Sequence, residues 1–179
     1  MKALIVIDYT VDFVTGKLPV GEPAIAIEDA IVKLVKQFLN NGDAVVMAVD
    51  LHEENDPDHP ESKLFPPHNI RGTEGRRLYG KLDELYESRK ASIMWMDKTR
   101  YSAFHGTGLD AWLTERGIRE LHLVGVCTDI CILHTAVDAY NKGYHIVVHQ
   151  PAVASFNAAG HDWALDHFRG TLGAEVIEE

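Results

Sequence analysis

The chain has 179 residues, of which 46% are hydrophobic and 25% charged, so it is long enough to bury a sizeable core. The formal net charge is −10 and no basic run occurs, which argues against a nucleic-acid-binding surface. Nothing in the sequence resembles a membrane span, and the apolar N-terminus is too short for a signal peptide. Two cysteines four residues apart provide no disulfide framework, which favours a reducing, cytoplasmic compartment. We expect one domain covering residues 1–179.

The first part of the chain alternates between strand and helix patterns. Short apolar runs predict strands at Ala3–Ile7 and Ala44–Val49, and each run ends in an aspartate, Asp8 or Asp50. Between them, one amphipathic helix is predicted to begin at Glu22 and to stop near residues 40–42. Its apolar face contains Ile27, Ile31, Leu34, Val35 and Phe38.

The segment from Leu51 to about Leu78 has no periodicity. It contains four prolines and the histidines His52, His59 and His68. An aperiodic loop of this length is unusual inside a compact domain unless it is functional.

The remaining elements continue the alternation. They are a weak helix at Leu78–Ser88, a strand at Ser92–Met96, a helix at Leu109–Arg116, a strand at Leu121–Val126, a helix from Thr128 or Asp129 to about Asn141, a strand at Tyr144–Val148, a helix at Gly160–Arg169 and a strand at Ala174–Ile177. Strands that alternate with helices predict an α/β fold. We expect a three-layer, doubly wound, mostly parallel six-stranded sheet with helices on both faces.

Cys131 is a candidate nucleophile. It is predicted in the first turn of a helix that Thr128 or Asp129 caps, where unpaired N–H groups and the helix dipole favour a thiolate. The alternative is a small buried apolar residue, the commonest fate of a free cysteine. His134 lies on the same helical face as a possible base, although a polar residue packed along the helix is the simpler interpretation. The spacing of Cys127 and Cys131 matches neither the usual redox motif nor a zinc knuckle.

Four residues with useful chemistry lie just beyond the ends of predicted strands: Asp8, Asp50, Lys98 and Cys131. A single aspartate at a strand end is usually a turn or cap residue. In open parallel sheets, however, ligands bind beyond the carboxyl ends of the strands. The pattern therefore predicts one site at this rim.

At these positions the chain resembles the isochorismatase-like cysteine hydrolases, and most closely the nicotinamidase/pyrazinamidase branch. The matching motifs occur in order over essentially the whole chain: Asp8–Phe13, Asp50–His52, Phe65–His68, Gly72–Gly75, Lys98–Phe104 and Gly125–Cys131. The resemblance implies hydrolysis of nicotinamide, and of the similar pyrazinamide, to the acid and ammonia in NAD salvage. A homo-oligomer is also expected from the habit of the family.

The resemblance further implies a catalytic triad of Asp8, Lys98 and Cys131. Asp8 is expected to accept the thiol proton, Lys98 to balance the charges of the site, and Cys131 to form a thioester with the substrate. A cis peptide bond between Val126 and Cys127 is expected as well. The backbone N–H groups of Cys127 and Cys131 are then expected to form the oxyanion hole.

A metal that holds the pyridine nitrogen is implied in the segment of about residues 50–78. The expected ligands are Asp50, His52, Glu61 and His68, a set that suits Zn²⁺, with Mn²⁺ and Fe²⁺ as alternatives. Glu61 is chosen over His59 because its spacing from Asp50 and His68 resembles the branch with a glutamate ligand.

Aromatic walls around a flat ring are expected from Phe13, Phe65 and Phe104, with ordinary packing as the alternative for Phe104. The chain departs from many relatives at Thr10, where glutamine is common, and at Pro151, where aspartate is common.

Two rival functions are considered: a relative that acts on another small amide or on isochorismate, and a catalytically silent binding protein of the same fold. An intact triad argues against the second rival.

Overall fold

The structure is a computed structural model that describes residues 1–179, and it is built on one six-stranded parallel sheet. The strands are β1 (Ala3–Ile7), β2 (Ala44–Asp50), β3 (Met94–Lys98), β4 (Glu120–Val126), β5 (His145–Ala154) and β6 (Glu175–Ile177). Their order in the sheet is β3-β2-β1-β4-β5-β6. The predicted α/β fold class is confirmed, and every strand pair is parallel.

Seven helices cover the sheet: α1 (Val11–Val14), α2 (Glu22–Ala26), α3 (Glu28–Asn40), α4 (Gly80–Arg89), α5 (Leu109–Glu115), α6 (Leu133–Asn141) and α7 (Ala158–Gly170). Helices α1 to α4 pack on one face, and α5 to α7 pack on the other. Alternate residues of β1 enter the two cores, so that Ile5 and Ile7 belong to one core while Leu4 and Val6 belong to the other. This explains why the strand sequence is continuously apolar. None of these helices combines the length and the apolarity needed to cross a bilayer.

The predicted helix beginning at Glu22 is wrong in one respect, because it is interrupted at Ile27 and forms α2 and α3. In an unbroken helix, the carbonyl of Ala24 accepts the N–H of Glu28. Here the Tyr9 hydroxyl donates to that carbonyl at 2.7 Å. The Tyr9 side chain, from the turn between β1 and α1, therefore occupies the carbonyl oxygen of Ala24 that a continuous helix would use.

Two strands also differ from their predicted boundaries by two residues or more. The third strand begins at Met94 rather than Ser92 and extends to Lys98, which pairs with Asp50. The fifth strand extends past the predicted end at Val148 to Ala154, with an irregularity opposite the Leu123–Gly125 step of β4. Pro151 lies in that irregular stretch, where the lack of a backbone donor is tolerated.

Candidate active site

The four predicted strand-end residues converge at the carboxyl edge of the sheet. Asp8 directly follows β1, while Asp50 and Lys98 are the last residues of β2 and β3. Cys131 lies five residues beyond the end of β4. Because β1 and β4 are neighbours at the point where the chain changes direction across the sheet, the site lies at the topological switch point.

The Lys98 ammonium connects these residues. Its Nζ lies 2.8 Å from Asp8 Oδ2, 2.6 Å from Asp50 Oδ1 and 3.7 Å from Cys131 Sγ. A further bond of 3.1 Å reaches the carbonyl oxygen of Arg100. Burial works against the charged form of Lys98, but Asp50 and Asp8 outweigh it and raise its pKa well above the ordinary value. Lys98 is therefore a fully buried side chain whose charged form is favoured by the two carboxylates beside it.

The two carboxylates around Lys98 differ in their proton affinity. Burial and the nearby Asp50 raise the pKa of Asp8 to about 6, against the lowering effect of Lys98. Burial also disfavours ionised Asp50, but Lys98 and His52 outweigh burial and hold the pKa of Asp50 well below its usual range. Asp8 is fixed in place because its Oδ1 accepts the backbone N–H of Asp50 at 2.8 Å. Asp8 is thus the carboxylate that can exchange a proton near neutral pH.

Cys131 lies in a single π-helical turn, Thr128–Ile132, that precedes α6. The predicted capping by Thr128 or Asp129 is wrong, because Thr128 Oγ1 contacts His161 Nδ1 at 2.8 Å and Asp129 accepts the Ser155 hydroxyl at 2.6 Å. These long-range bonds use side chains that looked like local caps. π-Helical turns are frequent at functional sites.

The prediction of a ready-made thiolate is also wrong. Burial raises the pKa of the Cys131 thiol well above its ordinary value, and Asp8 and Asp50 add to this effect against the influence of Lys98. The Cys131 thiol therefore keeps its proton unless a base removes it, and the Asp8 carboxylate, which contacts the same Lys98 ammonium, is the candidate base.

Neither Cys127 nor His134 is among the groups that contact the Lys98 ammonium. Both cysteines are free and buried, and burial raises the pKa of Cys127 to about 12. The exposed His134 ring has its Nδ1 2.7 Å from the carbonyl oxygen of Ile130, in agreement with a polar residue packed along the helix. The expected cis peptide bond between Val126 and Cys127 is present. Gly125, just before it, has a φ of +115°, and a Cβ there would collide with the carbonyl oxygen of Ile7.

The expected metal ligands form one buried cluster. One ligand atom from each of Asp50, His52, Glu61 and His68 lies within 4.8 Å of the others. His68 Nε2 is 3.5 Å from Glu61 Oε2 and 3.9 Å from Asp50 Oδ2. The opposite ring nitrogen of His68 lies 2.8 Å from the carbonyl oxygen of Pro66. This contact favours a proton on Nδ1, which leaves Nε2 available as a ligand.

Two buried atoms of the cluster, Glu61 Oε1 and His68 Nε2, have no hydrogen-bond partner. Such orphaned atoms are rare, because burying them without a partner is costly. Two carboxylates and two imidazoles are also a donor set that binds Zn²⁺, Mn²⁺ or Fe²⁺. The cluster therefore fits a divalent transition metal.

His59 is close to the cluster but is engaged elsewhere. Its ring centroid lies 4.3 Å from that of His52. However, His59 Nε2 is 2.7 Å from the carbonyl oxygen of Thr99, and its Nδ1 accepts the Glu61 N–H at 3.2 Å. Both ring nitrogens are thus committed to the backbone, which favours Glu61 over His59 as a ligand.

The three predicted aromatic walls separate into two groups. Phe13 and Phe65 contact the His68 ring, with centroids 5.1 Å and 6.4 Å from it. Phe104 instead packs on Tyr144 with centroids 5.7 Å apart, and it belongs to the buried core on the face of the sheet that α5 to α7 cover. We therefore remove Phe104 from the expected substrate walls.

The long loop also forms a cavity of about 670 Å³ beside the cluster of potential metal ligands. His52, Glu61, Phe65 and His68 are among its lining residues, and no triad residue is. The aperiodic sequence predicted a functional loop, and it contained no signal for the shape of this cavity.

Sequence reasoning missed two residues that support the site. Arg76 donates to the carbonyl oxygen of Asp50 at 2.7 Å, and the buried Asn69 accepts the Thr10 hydroxyl at 2.9 Å. The position of Arg76 directly after the Gly72–Gly75 motif was the one available signal. Asn69 has a φ of +47°, which a sequence alone does not reveal.

Comparison with known proteins agrees with this geometry. The family model described as the Isochorismatase domain matches residues 2–179. A Bacillus subtilis isochorismatase family protein is 64% identical over 181 aligned residues, which cover 99% of each chain.

Solved structures extend the comparison. A crystal structure of nicotinamidase/pyrazinamidase from B. subtilis has a TM-score of 0.97 and 62% identity, covering 99% of this chain and 100% of that one. Pyrazinamidase/nicotinamidase from Streptococcus mutans gives 0.96 and 52%, with coverage of 99% and 100%. Pyrazinamidase of Pyrococcus horikoshii in complex with zinc gives 0.87 and 27%, with coverage of 99% and 99%. From the fold, the strand-end residues and these matches over nearly the full length, we conclude that the chain belongs to the isochorismatase family.

Proposed function

We propose that this protein is a metal-dependent cysteine amidase that hydrolyses nicotinamide, and also pyrazinamide, to the carboxylic acid and ammonia. The observation that carries the proposal is the position of the Lys98 ammonium, which contacts Asp8, Asp50 and Cys131 at once. Through Asp50, the nucleophile is joined to the cluster of potential metal ligands. Relatives of high identity whose names include nicotinamidase support the same substrate.

Acylation begins with transfer of the Cys131 proton to the Asp8 carboxylate. The sulfur then attacks the carboxamide carbon, and a C–S bond forms while the carbonyl π electrons move to oxygen. When the carbonyl reforms, the C–N bond breaks, and the proton held by Asp8 goes to the leaving ammonia. A base with a pKa of about 6 suits this double duty near neutral pH, because it can both accept and return a proton.

In deacylation, water replaces the Cys131 thiol as the group that gives a proton to Asp8. Water attacks the thioester carbon while Asp8 accepts one of its protons, and the C–S bond breaks to release the acid. The proton on Asp8 then returns to the sulfur of Cys131. Lys98 keeps its charge throughout, so it stabilises the ionised states of both groups without itself reacting. The backbone N–H groups of Cys127 and Cys131 are the proposed donors to the developing oxyanion.

The proposed metal ligands are Asp50, His52, Glu61 and His68. A metal bound by them would supply a Lewis-acidic position for the pyridine nitrogen of the substrate. The orphaned atoms of Glu61 and His68 and the zinc complex of the P. horikoshii relative support this assignment. Phe13 and Phe65, which both contact the His68 ring, are the proposed contacts for the flat ring. Two free cysteines suit a reducing compartment such as the cytoplasm, where nicotinate enters NAD salvage.

The proposal is tested by measuring ammonia release from nicotinamide and benzamide with the metal-loaded and the metal-stripped protein. Benzamide has the same shape but no ring nitrogen. We expect rapid release from nicotinamide only with metal, and slow release from benzamide in both states, because positioning of the carboxamide depends on the ring nitrogen. Equal activity on both amides without metal would contradict the metal and the substrate assignment together.

A further inference from the structure

Arg76 connects the far end of the long loop to the strand at which the loop begins. Its Nε donates to the carbonyl oxygen of Asp50 at 2.7 Å, and its Nη2 donates to that of Val49 at 3.3 Å. These bonds join residues 26 and 27 positions apart in the sequence. The segment that they close contains His52, Glu61 and His68, while the bonded carbonyl belongs to Asp50. All four residues of the metal cluster are thus within the closed segment or at its start.

The guanidinium is itself held from two other directions. Its Nη2 forms an ion pair with Asp97 Oδ1, and its Cζ lies over the Trp95 ring, 5.5 Å from the ring centroid. The Trp95 indole N–H also donates to Asp97 at 2.8 Å. The Arg76 side chain is only 14% exposed. A planar donor that is stacked and bonded on several sides has little freedom to leave its position.

The backbone of Arg76 is anchored as firmly as its tip. Arg76 ends a short 3₁₀ turn, Glu74–Arg76, and the carbonyl oxygen of Arg77 accepts the Val11 N–H at 2.9 Å. Gly75 in the same turn packs against the Asp12 carboxylate so closely that a Cβ would collide with it. The turn is therefore fixed to α1, and the side chain spans from α1 to the end of β2.

We infer that Arg76 is a positioning residue for the metal site, which sets Asp50 and closes the ligand-bearing loop before the metal binds. The inference rests on the proposed function, because it takes the cluster to be a metal site. A loop that is already closed loses less conformational entropy when a metal joins its ligands. Outer contacts of this kind typically change metal affinity by about 10–100-fold when they are removed.

The test measures zinc affinity with metal-stripped protein, by competition with a chromogenic chelator. Arg76→Gln removes the charged fork, and we expect it to bind zinc about 10–100-fold more weakly than wild type. Arg76→Lys keeps the charge but cannot reach both carbonyls and stack on Trp95, so we expect an intermediate loss. Arg77→Gln is the matched control, because Arg77 is next in sequence and its exposed side chain pairs only with Glu74 and Asp83. We expect Arg77→Gln to bind zinc as wild type does.

A purely structural role for Arg76 predicts a different result. It predicts a lower free energy of unfolding in urea, with zinc affinity unchanged once the variant is folded. Wild-type zinc affinity in folded Arg76→Gln would overturn the inference. If that variant does not fold, Arg76→Lys decides, and wild-type affinity there would overturn the inference equally. Absence of zinc binding or of ammonia release in the wild-type protein would instead overturn the proposed function, so the two failures are distinguishable.

Discussion

Lys98→Met should destabilise the protein strongly, because Lys98 is the buried cation between two carboxylates. Its side chain is 0% exposed, and it lies 2.8 Å from Asp8 and 2.6 Å from Asp50. Methionine has a similar length and flexibility, so the volume of the side chain is nearly conserved. The substitution therefore removes the charge and leaves the two carboxylates facing each other without compensation.

The expected loss is large because burial removes solvent screening. Deleting one partner of a buried ion pair typically lowers the free energy of unfolding by about 3–5 kcal/mol, since the remaining charge is left buried without a partner. We expect Lys98→Met to lower the free energy of unfolding by that amount. The measurement is urea unfolding at neutral pH in excess chelator, so that metal binding does not contribute.

Lys81→Met is the matched control. Lys81 Nζ also faces two carboxylates, 2.7 Å from Asp29 and 4.0 Å from Glu28, but its side chain is 58% exposed. Water screens this group, so the control should unfold at nearly the wild-type urea concentration. The pair of variants thus compares the same substitution at a buried and at an exposed site.

A second arm adds Asp8→Asn to Lys98→Met. Removing one of the two opposed carboxylates should recover at least about 1 kcal/mol, since groups in direct contact couple by about 0.5–3 kcal/mol. The reasoning is refuted if Lys98→Met behaves like Lys81→Met, or if Asp8→Asn makes the Lys98→Met protein still less stable.

Three further predictions concern catalysis and the metal. Cys131→Ala should lower kcat for nicotinamide by more than about a thousandfold. Cys127→Ala should lower kcat only slightly, because Cys127 is assigned only its backbone N–H. Equal losses of ammonia release in the two variants would contradict the nucleophile assignment. Burial and a neighbouring carboxylate raise the pKa of Asp8 to about 6. We therefore expect kcat/KM to fall as the pH drops below about 6, because protonated Asp8 cannot accept the thiol proton. A kcat/KM that stays constant well below about pH 6 would refute Asp8 as the base. Glu61→Ala should weaken zinc binding much more than His59→Ala, as measured by chelator competition. The reverse order would identify His59, and not Glu61, as the metal ligand.

The sequence by itself determined the fold class and the residues at the rim of the sheet. Continuous apolar runs and helical periodicity are local signals, and they located all six strands and the aspartates at the carboxyl ends of β1 and β2. They could not set the strand boundaries, because pairing between strands is decided by distant partners. Lys98 became the last residue of β3 through its pairing with Asp50, and β5 continued through Pro151 because β4 accommodates an irregular stretch.

The tertiary structure decided the chemical state of the site. A cysteine at a helix start suggested a thiolate, but complete burial between Asp8 and Asp50 raises the pKa of Cys131 instead. Likewise, spacing alone could not rank Glu61 above His59 as a ligand, whereas the contacts of the His59 ring nitrogens with the backbone of Thr99 and Glu61 favour Glu61. Charge stabilisation and hydrogen bonding depend on what the fold brings within a few ångströms, and residues far apart in the sequence supply most of those neighbours.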